Sequence, residues 1–268
     1  MTTLAILGAG KMGEALLSGL LRSGTPASDV IVSTRRAERA KELEDRYGVS
    51  AVGSADAAER GRTLLLAVKP QDMGTLLTEI GHLVTTDQLV VSMAAGIPTA
   101  TIERQLPGGV PVVRVMTNTP ALVDEAMSVL SAGSHADEVH LARAEDVFRH
   151  VGKVLRVPEY QQDAVTALSG SGPAYFFFLV EAMIDAGILL GLPRAVAADL
   201  MVQTAVGAAV MLRDSGEHPV QLREAVTSPA GTTINAIREL EKHGVRAAFL
   251  AAIEAARDRS KELARDGN

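Results

Sequence analysis

A glycine-rich segment near the start of the chain constrains its fold more than any other feature. The apolar run 4–7 is followed at once by Gly-Ala-Gly-Lys-Met-Gly at 8–13, where a helical pattern begins. In such a segment Gly8 permits a tight turn, Gly10 lets the backbone approach a pyrophosphate, and Gly13 lets the helix pack close to the strand. Free N–H groups and the helix dipole attract phosphate there. The segment therefore predicts the first strand, turn and helix of a dinucleotide-binding fold.

The residues that follow alternate short apolar runs with helical stretches, which is typical of a parallel sheet with crossover helices. Predicted strands lie at 4–7, 30–34, 64–68, 89–93 and 112–116, and strands at 127–130 and 153–157 extend the sheet. Predicted helices between them include 12–22, 37–47 and 72–83. Because each strand is a continuous apolar run, we expect helices on both faces of the sheet.

The sequence changes character near residue 159, where strand patterns stop and Ala-rich helical patterns continue to the end. We therefore predict an α/β Rossmann-type dinucleotide-binding domain over 1–158 and an all-helical domain over 159–268. The stretch 202–212 is apolar over far more than one helix face. So much apolar surface favours a second subunit that covers part of it. The alternative is a monomer whose two domains bury the excess against each other.

The composition argues against several classes of protein. A net charge of −6 gives no electrostatic reason to expect nucleic acid, and the absence of cysteine removes disulfides and thiolate metal sites. We see no signal-peptide pattern and expect a cytoplasmic protein. The apolar stretch 174–192 contains Glu181 and Asp185, which are costly at a bilayer centre. We therefore expect a buried core helix there, with a membrane span as the alternative.

The end of the second strand bears on which nucleotide binds. An NAD site usually has an acid there, which accepts hydrogen bonds from the ribose 2′-hydroxyl. Here the strand ends in Ser33, Thr34, Arg35 and Arg36, and Asp29 lies at its opposite end. Hydroxyls and the planar donor forks of arginine suit a 2′-phosphate. We therefore expect NADPH. The alternative is that the arginines are only the solvated start of the next helix.

Two further strand ends are expected to line the same crevice. The segments 67–71 and 92–96 both follow apolar strands, and ligands of open α/β sheets bind beyond the carboxyl ends of the strands. Taken singly, both segments are equally compatible with ordinary turns in which Pro70 and Gly96 end the strands.

Taken together, these segments resemble the pyrroline-5-carboxylate reductase family. The matching segments are 8–13, 67–70, 92–96 and 114–120 in the first half, and the more specific 168–175 and 227–233 in the second. Many relatives have proline at Thr117 and glycine at Ala230, which are small departures. The resemblance implies reduction of (S)-1-pyrroline-5-carboxylate to L-proline with NADPH or NADH. It also implies an all-helical C-terminal domain that intertwines in a homodimer, which often assembles further into rings.

The substrate of this family is a cyclic imine with a carboxylate, so its site needs an anion-binding group and a hydrogen-bonding group near the ring nitrogen. The segment 228–233 leads into a predicted helix at 232–242, whose first N–H groups suit a carboxylate. The Thr233 hydroxyl is able to donate to or accept from the nitrogen. The alternative is that these residues only cap the helix. The glycine-rich segment 169–172, at a second helix start, is expected to belong to the same pocket.

The resemblance implies that Thr233 lies nearest the ring nitrogen, that Glu159 approaches the substrate, and that Met116 and Asn118 face the nicotinamide or the substrate. The predicted catalytic residue is Thr233. The predicted substrate contacts are Glu159, Ser171, Gly172, Ser228, Gly231, Thr232 and Thr233. The predicted cofactor contacts are Gly8, Ala9, Gly10, Lys11, Met12, Gly13, Thr34, Arg35, Arg36, Ser54, Ala67, Val68, Lys69, Pro70, Ala95, Met116 and Asn118. We expect no metal site and no nucleic-acid or membrane partner.

Two other functions are compatible with the two-domain layout but fit the sequence less well. A β-hydroxyacid dehydrogenase of similar layout needs a lysine general acid after the domain boundary, and there is no lysine between 159 and 192. A non-catalytic NADPH-binding regulator has no reason to keep the segment 228–233. No strong general acid is visible among the six histidines. The proton on the product nitrogen therefore comes from water or from an already protonated imine, and the sequence leaves both open.

Overall fold

The computed structural model describes residues 3–266, with side chains to residue 263. The chain forms two compact units. One contains the described residues up to Ser171 together with those from Ala256 onwards, and the other is Gly172–Ala255. The helical turns between 159 and 171 thus belong to the first unit by their contacts. The domain boundary at 158/159 stays a prediction.

The first unit is built on an eight-stranded sheet with the order β3-β2-β1-β4-β5-β6-β7-β8. Its strands are β1 (Leu4–Leu7), β2 (Val30–Ser33), β3 (Ser50–Ala51), β4 (Thr63–Leu66), β5 (Leu89–Ser92), β6 (Val112–Met116), β7 (Ala126–Ala132) and β8 (Gly152–Arg156). Its helices are α1 (Lys11–Arg22), α2 (Ala37–Tyr47), α3 (Ser54–Arg60), α4 (Met73–Ile80), α5 (Thr99–Glu103), α6 (Glu138–Arg149) and α7 (Gln162–Val165).

The central strands β1, β2, β4, β5 and β6 are buried on both faces, as their continuous apolar runs predicted. Along β1, Leu4 and Ile6 pack into one core cluster with Leu16 of α1, whereas Ala5 and Leu7 pack into a second cluster with α3 and α4. This alternation follows from the period of two in a strand. The sheet is parallel except where β7 runs antiparallel to β6. The carboxyl ends of the strands from β2 to β6 therefore meet at one edge.

The predicted strands are confirmed within a few residues, and β3 is the one that the sequence did not indicate. It is a two-residue strand at the edge of the sheet, bound only to β2 and partly exposed. A strand this short has no apolar periodicity to detect.

The second unit is helical. It contains α8 (Gly172–Leu189), α9 (Arg194–Asp214), α10 (Pro219–Ala225), α11 (Thr232–Lys242) and the first part of α12 (Val245–Asp266). A Cβ built on Gly187 would lie 2.9 Å from that of Ala197, so α8 and α9 approach closely because residue 187 is glycine.

The apolar surfaces of α8 and α9 are largely exposed. Two helical stretches, Glu159–Leu189 and Arg194–Asp214, are long and apolar enough to span a membrane by length and composition alone, and only 6% of each apolar window is buried. The prediction of a buried core helix at 174–192 is therefore wrong for the single chain. The four to five helices of this unit are too few to cover helices that are apolar around most of their circumference.

Candidate active site

The glycine-rich turn joins β1 to α1 at the carboxyl edge of the sheet. Gly8 has a φ of 91°, and its N–H donates to the carbonyl of Ser33 over 2.9 Å. A Cβ on Gly8 would lie 2.5 Å from Cγ1 of Val68, and one on Gly13 would lie 3.2 Å from Cγ2 of Ile6. Gly8 is thus required by its left-handed conformation and by the approach of the β4 loop. Gly13 is required by packing against β1.

Gly10 is different, because the fold does not require a glycine there. It is the N-cap of α1 with a φ of −76°, and no side chain caps the helix. A Cβ on Gly10 would meet only the Gly8 carbonyl oxygen, at 3.9 Å. The first N–H groups of α1 are consequently open to an anion that approaches over residue 10.

Arg39 of α2 contacts both the same turn and the helix that follows it. The Arg39 guanidinium donates to the Ala9 carbonyl at 3.4 Å and forms an ion pair with Glu14 in the first turn of α1. Burial of Glu14 favours its neutral form, but hydrogen bonds from Arg39 and Tyr47 outweigh this and hold its pKa below the usual value. The stability that this lowered pKa brings is present at neutral pH and is lost as the pH falls through the folded-state pKa.

A cleft of about 490 Å³ opens beside the glycine turn. Nine of the predicted cofactor contacts line it: Gly8, Gly10, Thr34, Arg35, Arg36, Ser54, Ala67, Val68 and Lys69. The others, Ala9, Lys11, Met12, Gly13, Pro70, Ala95, Met116 and Asn118, are not among its lining residues.

Ser33 and Gln71, in the strand end and the loop that the sequence indicated, also line the cleft. Four lining residues were missed by the sequence interpretation: Asp72, Thr75, Leu76 and Glu79. These four run from the N-cap to the end of α4, at spacings of three and four that place them on one helix face. That spacing directly after the 67–71 loop was the signal that could have identified them.

The charges of the cleft fit a phosphate on the second-strand side. Arg35 donates from both terminal nitrogens to the two carboxylate oxygens of Asp72, each over 3.0 Å. Arg36 is exposed and makes no ion pair within residues 3–263. The hydroxyls of Ser33 and Ser54 lie 3.2 Å apart. The acid expected of an NAD site is absent from the end of β2, and the cleft keeps hydroxyls and guanidinium groups there.

The end of β6 holds Met116 and Asn118, whose side chains contact the backbone turn 166–170. The Asn118 amide donates to the Ser169 carbonyl over 3.1 Å and accepts from the Met127 N–H over 3.0 Å. A Cβ on Gly170 would lie 2.5 Å from Cε of Met116. These contacts hold the turn that precedes α8, and contact of either residue with a nicotinamide or a substrate stays a prediction.

Glu159 has partners that give it a structural role. Its carboxylate accepts from the Thr99 N–H over 2.7 Å and from the Thr99 hydroxyl over 2.8 Å. Arg114, which is buried in β6, donates to it at 3.5 Å. Because Thr99 opens α5, Glu159 caps that helix from a distant part of the chain. Its predicted approach to a substrate stays a prediction.

In the second unit, the segment 228–231 forms a tight turn before α11. The Gly231 N–H donates to the Ser228 carbonyl over 3.1 Å, and Ala230 between them has a φ of 58°. This left-handed conformation is uncommon for alanine and natural for glycine. The Gly231–Ser228 hydrogen bond closes the turn around this residue.

The two threonines at 232 and 233 begin α11 but do not cap it. The N-cap is Gly231, without a side-chain hydrogen bond. Thr233 is half-buried, and its hydroxyl makes no hydrogen bond to the described part of the chain. The explanation that these threonines serve as N-caps is thereby wrong. The helix start keeps free N–H groups with a hydroxyl beside them.

Ser171 and Gly172 stand at another helix start. The Ser171 N–H donates to the Thr166 carbonyl over 2.9 Å, which closes the π-helical turn Thr166–Gly170. Gly172 is buried and opens α8. Among the described residues, no group of three or more His, Asp or Glu side chains is arranged to hold a metal ion.

Comparisons with known proteins agree over both halves of the chain. The family "Pyrroline-5-carboxylate reductase dimerisation" matches residues 159–263, and "NADP oxidoreductase coenzyme F420-dependent" matches residues 3–96. A pyrroline-5-carboxylate reductase of Corynebacterium melassecola is 46% identical over 98% of this chain and 99% of its own length. The chain belongs to the pyrroline-5-carboxylate reductase family. The resemblance drawn from the sequence motifs is confirmed.

Solved structures of the same family have the same fold. A pyrroline-5-carboxylate reductase from Coxiella burnetii superposes with a TM-score of 0.91 at 35% identity, covering 98% of both chains. A pyrroline carboxylate reductase from Plasmodium falciparum with NADP bound has a TM-score of 0.89 at 27% identity, again covering 98% of both chains. The α/β Rossmann-type domain followed by a helical dimerisation domain is confirmed as the fold of this family member.

Proposed function

We propose that this chain reduces (S)-1-pyrroline-5-carboxylate to L-proline, the last step of proline biosynthesis, with NADPH as the reductant. The observation that carries the proposal is the near-complete match, at 46% identity, to a pyrroline-5-carboxylate reductase. The open backbone at Gly10 and the uncapped start of α11 support it independently. The bound dinucleotide supplies a hydride to the imine carbon while the ring nitrogen gains a proton.

The cofactor site is proposed at the cleft beside the glycine turn. The free N–H groups at the start of α1 would hold the pyrophosphate, because Gly10 leaves the backbone accessible. The 2′-phosphate would lie among Thr34, Arg35 and Arg36, where the acid of an NAD site is absent. NADH, which lacks this phosphate, is accepted less well.

The substrate site is proposed around the start of α11. The free N–H groups that follow Gly231 would receive the substrate carboxylate. Thr233 would place its hydroxyl at the ring nitrogen, where a hydroxyl serves both the imine and the amine because it donates and accepts. Ser228 and Thr232 would line the same site, and contact of Ser171 and Gly172 with the substrate stays a prediction.

The arginines at the end of β2 are tested by a change of cofactor preference. Replacing Arg35 and Arg36 together with alanine is expected to raise the KM for NADPH about five- to tenfold and to leave that for NADH nearly unchanged. The effect is moderate because both side chains are exposed and solvent screens them. Steady-state kinetics with each cofactor measure it. An equal loss with both cofactors would mean that the arginines are ordinary surface charges.

The protein is further proposed to work as a homodimer, which assembles into larger rings, through the exposed helices of the second unit. An apolar groove of about 380 Å³ between α8 and α9 is lined by Phe176, Phe177 and Val206. Phe176 and Phe177 are 66% and 69% exposed in the single chain. Contiguous apolar surface of this kind marks an interaction site. The family match over residues 159–263 is itself to a dimerisation domain.

At micromolar concentration, light scattering is expected to give the mass of a dimer or a larger assembly. Phe177→Glu is expected to reduce that mass, because it places a charge in the proposed interface. Val139→Glu, on α6, is the control, since Val139 is also exposed but lies in the first unit. A monomeric wild-type protein contradicts the proposal.

The proposed reaction is tested by NADPH oxidation, followed by the loss of absorbance of the reduced nicotinamide. Steady oxidation of NADPH with pyrroline-5-carboxylate is expected, and β-hydroxyacids are expected to give no reduction of NADP⁺. Turnover of hydroxyacids would favour a dehydrogenase, and NADPH binding without turnover of either would favour a regulator.

We propose a cytoplasmic location, with no nucleic-acid or membrane partner.

A further inference from the structure

Asp72 and Arg35 form a bridge across the mouth of the proposed cofactor cleft. Arg35 stands just after β2 and Asp72 just before α4, which follows β4. In the sheet, β1 lies between β2 and β4. The pair therefore spans the carboxyl end of β1, where Gly8 and Gly10 line the same cleft. Its two hydrogen bonds are each 3.0 Å long.

The bridge occupies the groups of Arg35 that a phosphate would use. Both terminal nitrogens of its guanidinium donate to the Asp72 carboxylate, in the bidentate geometry that arginine also adopts with phosphate. A 2′-phosphate must either displace the carboxylate or bind beside it. Binding beside it brings two anions close together, which is unfavourable.

The free-energy cost of displacing the Asp72 carboxylate, or of binding beside it, applies to only one of the two cofactors. NADPH presents a 2′-phosphate to Arg35, whereas NADH presents a 2′-hydroxyl that does not compete for the guanidinium. The Arg35 side chain is 79% exposed and that of Asp72 is 24% exposed, so the pair is weak enough to open.

We propose that Asp72 sets the preference between NADPH and NADH by competing with the ribose 2′-phosphate for Arg35. This inference rests on the proposed cofactor site and adds a residue that the sequence patterns did not indicate. It predicts that removing the Asp72 charge makes the protein more selective for the phosphorylated cofactor, although Asp72 itself binds neither.

The test compares the dissociation constants of NADP⁺ and NAD⁺ by isothermal titration calorimetry, without substrate. Asp72→Asn is expected to tighten NADP⁺ binding about two- to fivefold, the range that loss of a competing exposed ion pair allows, and to leave NAD⁺ binding nearly unchanged. In an Arg35→Ala background, the same Asp72→Asn change is expected to have no effect on NADP⁺ binding.

Glu79 offers a matched control. It lines the same cleft, carries the same charge and makes no ion pair with the described side chains. Glu79→Gln is expected to leave the ratio of the NADP⁺ and NAD⁺ dissociation constants near the wild-type ratio. Melting temperatures of all variants establish that they are folded.

Several results would overturn the inference. Weaker NADP⁺ binding in Asp72→Asn would mean that Asp72 instead holds Arg35 ready for the phosphate. An equal gain in the Arg35→Ala background or in Glu79→Gln would mean a general charge effect, and an unchanged ratio would mean that the pair does not compete. If folded wild-type protein binds neither nucleotide, the proposed cofactor site fails and this inference fails with it.

Discussion

Replacing Thr233 with alanine is expected to lower turnover about tenfold to a few hundredfold, the scale of one lost polar contact of ~1.5–3 kcal/mol in the transition state. The hydroxyl is proposed to change hydrogen-bond partners as the imine becomes an amine, so part of its interaction arises only during the reaction. The structure makes this test sharper, because Gly231 is the N-cap of α11 and the Thr233 hydroxyl has no hydrogen bond within the described residues. The melting temperature is therefore expected to change little.

Two variants control this result, with turnover and melting temperature measured for each. Thr233→Ser keeps the hydroxyl and is expected to recover much of the lost turnover. Thr232→Ala, at the neighbouring exposed position, is expected to cost less turnover than Thr233→Ala. A Thr233→Ala protein that melts at a lower temperature but turns over normally would show that Thr233 has a purely structural role.

Much of the first unit could be predicted because its signals are local. Apolar runs such as Leu4–Leu7 are buried on both faces, and the glycine fingerprint fixes the turn that follows. The antiparallel direction of β7 had no local signal, since strand direction depends on pairing between distant segments. The exposure of α8 was missed for a related reason. Its sequence is apolar enough for a core, and the surface that would cover it is not part of the single chain.

Site residues that lie next to one another in sequence could be predicted, whereas those that only the fold brings together could not. Thr34, Arg35 and Arg36 follow directly from the end of β2 and line the cleft. Asp72 comes from a different strand, and its bidentate pairing with Arg35 needs the parallel order β2-β1-β4 to bring the two together.

Glu159 shows the same limit, because its hydrogen-bond partner is distant in sequence. Its approach to the substrate was predicted from the resemblance alone and stays a prediction. The structure adds that its carboxylate accepts hydrogen bonds from Thr99 at the start of α5. Sixty positions separate the two in sequence, so no local pattern relates them. Capping of one helix by a distant carboxylate is visible only once the chain is folded.

Replacing Gly10 with alanine is expected to weaken NADPH binding about a hundredfold while leaving the fold intact. A methyl group at residue 10 would lie between the first N–H groups of α1 and the pyrophosphate, and two lost charge-assisted hydrogen bonds account for a change of that size. The free protein accommodates the methyl, because its nearest neighbour would be the Gly8 carbonyl oxygen at 3.9 Å and the φ of −76° suits alanine. Titration of NADPH fluorescence measures the binding, and thermal melting measures the fold.

Gly8→Ala is the matched control from the same turn, and it is expected to behave in the opposite way. Residue 8 has a φ of 91°, and its Cβ would lie 2.5 Å from Cγ1 and 2.8 Å from the backbone nitrogen of Val68. Strain of about 1–3 kcal/mol at such a position, added to the clash, is expected to lower the melting temperature by several degrees. Gly10→Ala thus tests whether ligand binding requires a glycine, and Gly8→Ala tests whether the fold requires one. Wild-type affinity for NADPH in a folded Gly10→Ala protein would show that the pyrophosphate does not pass over this turn.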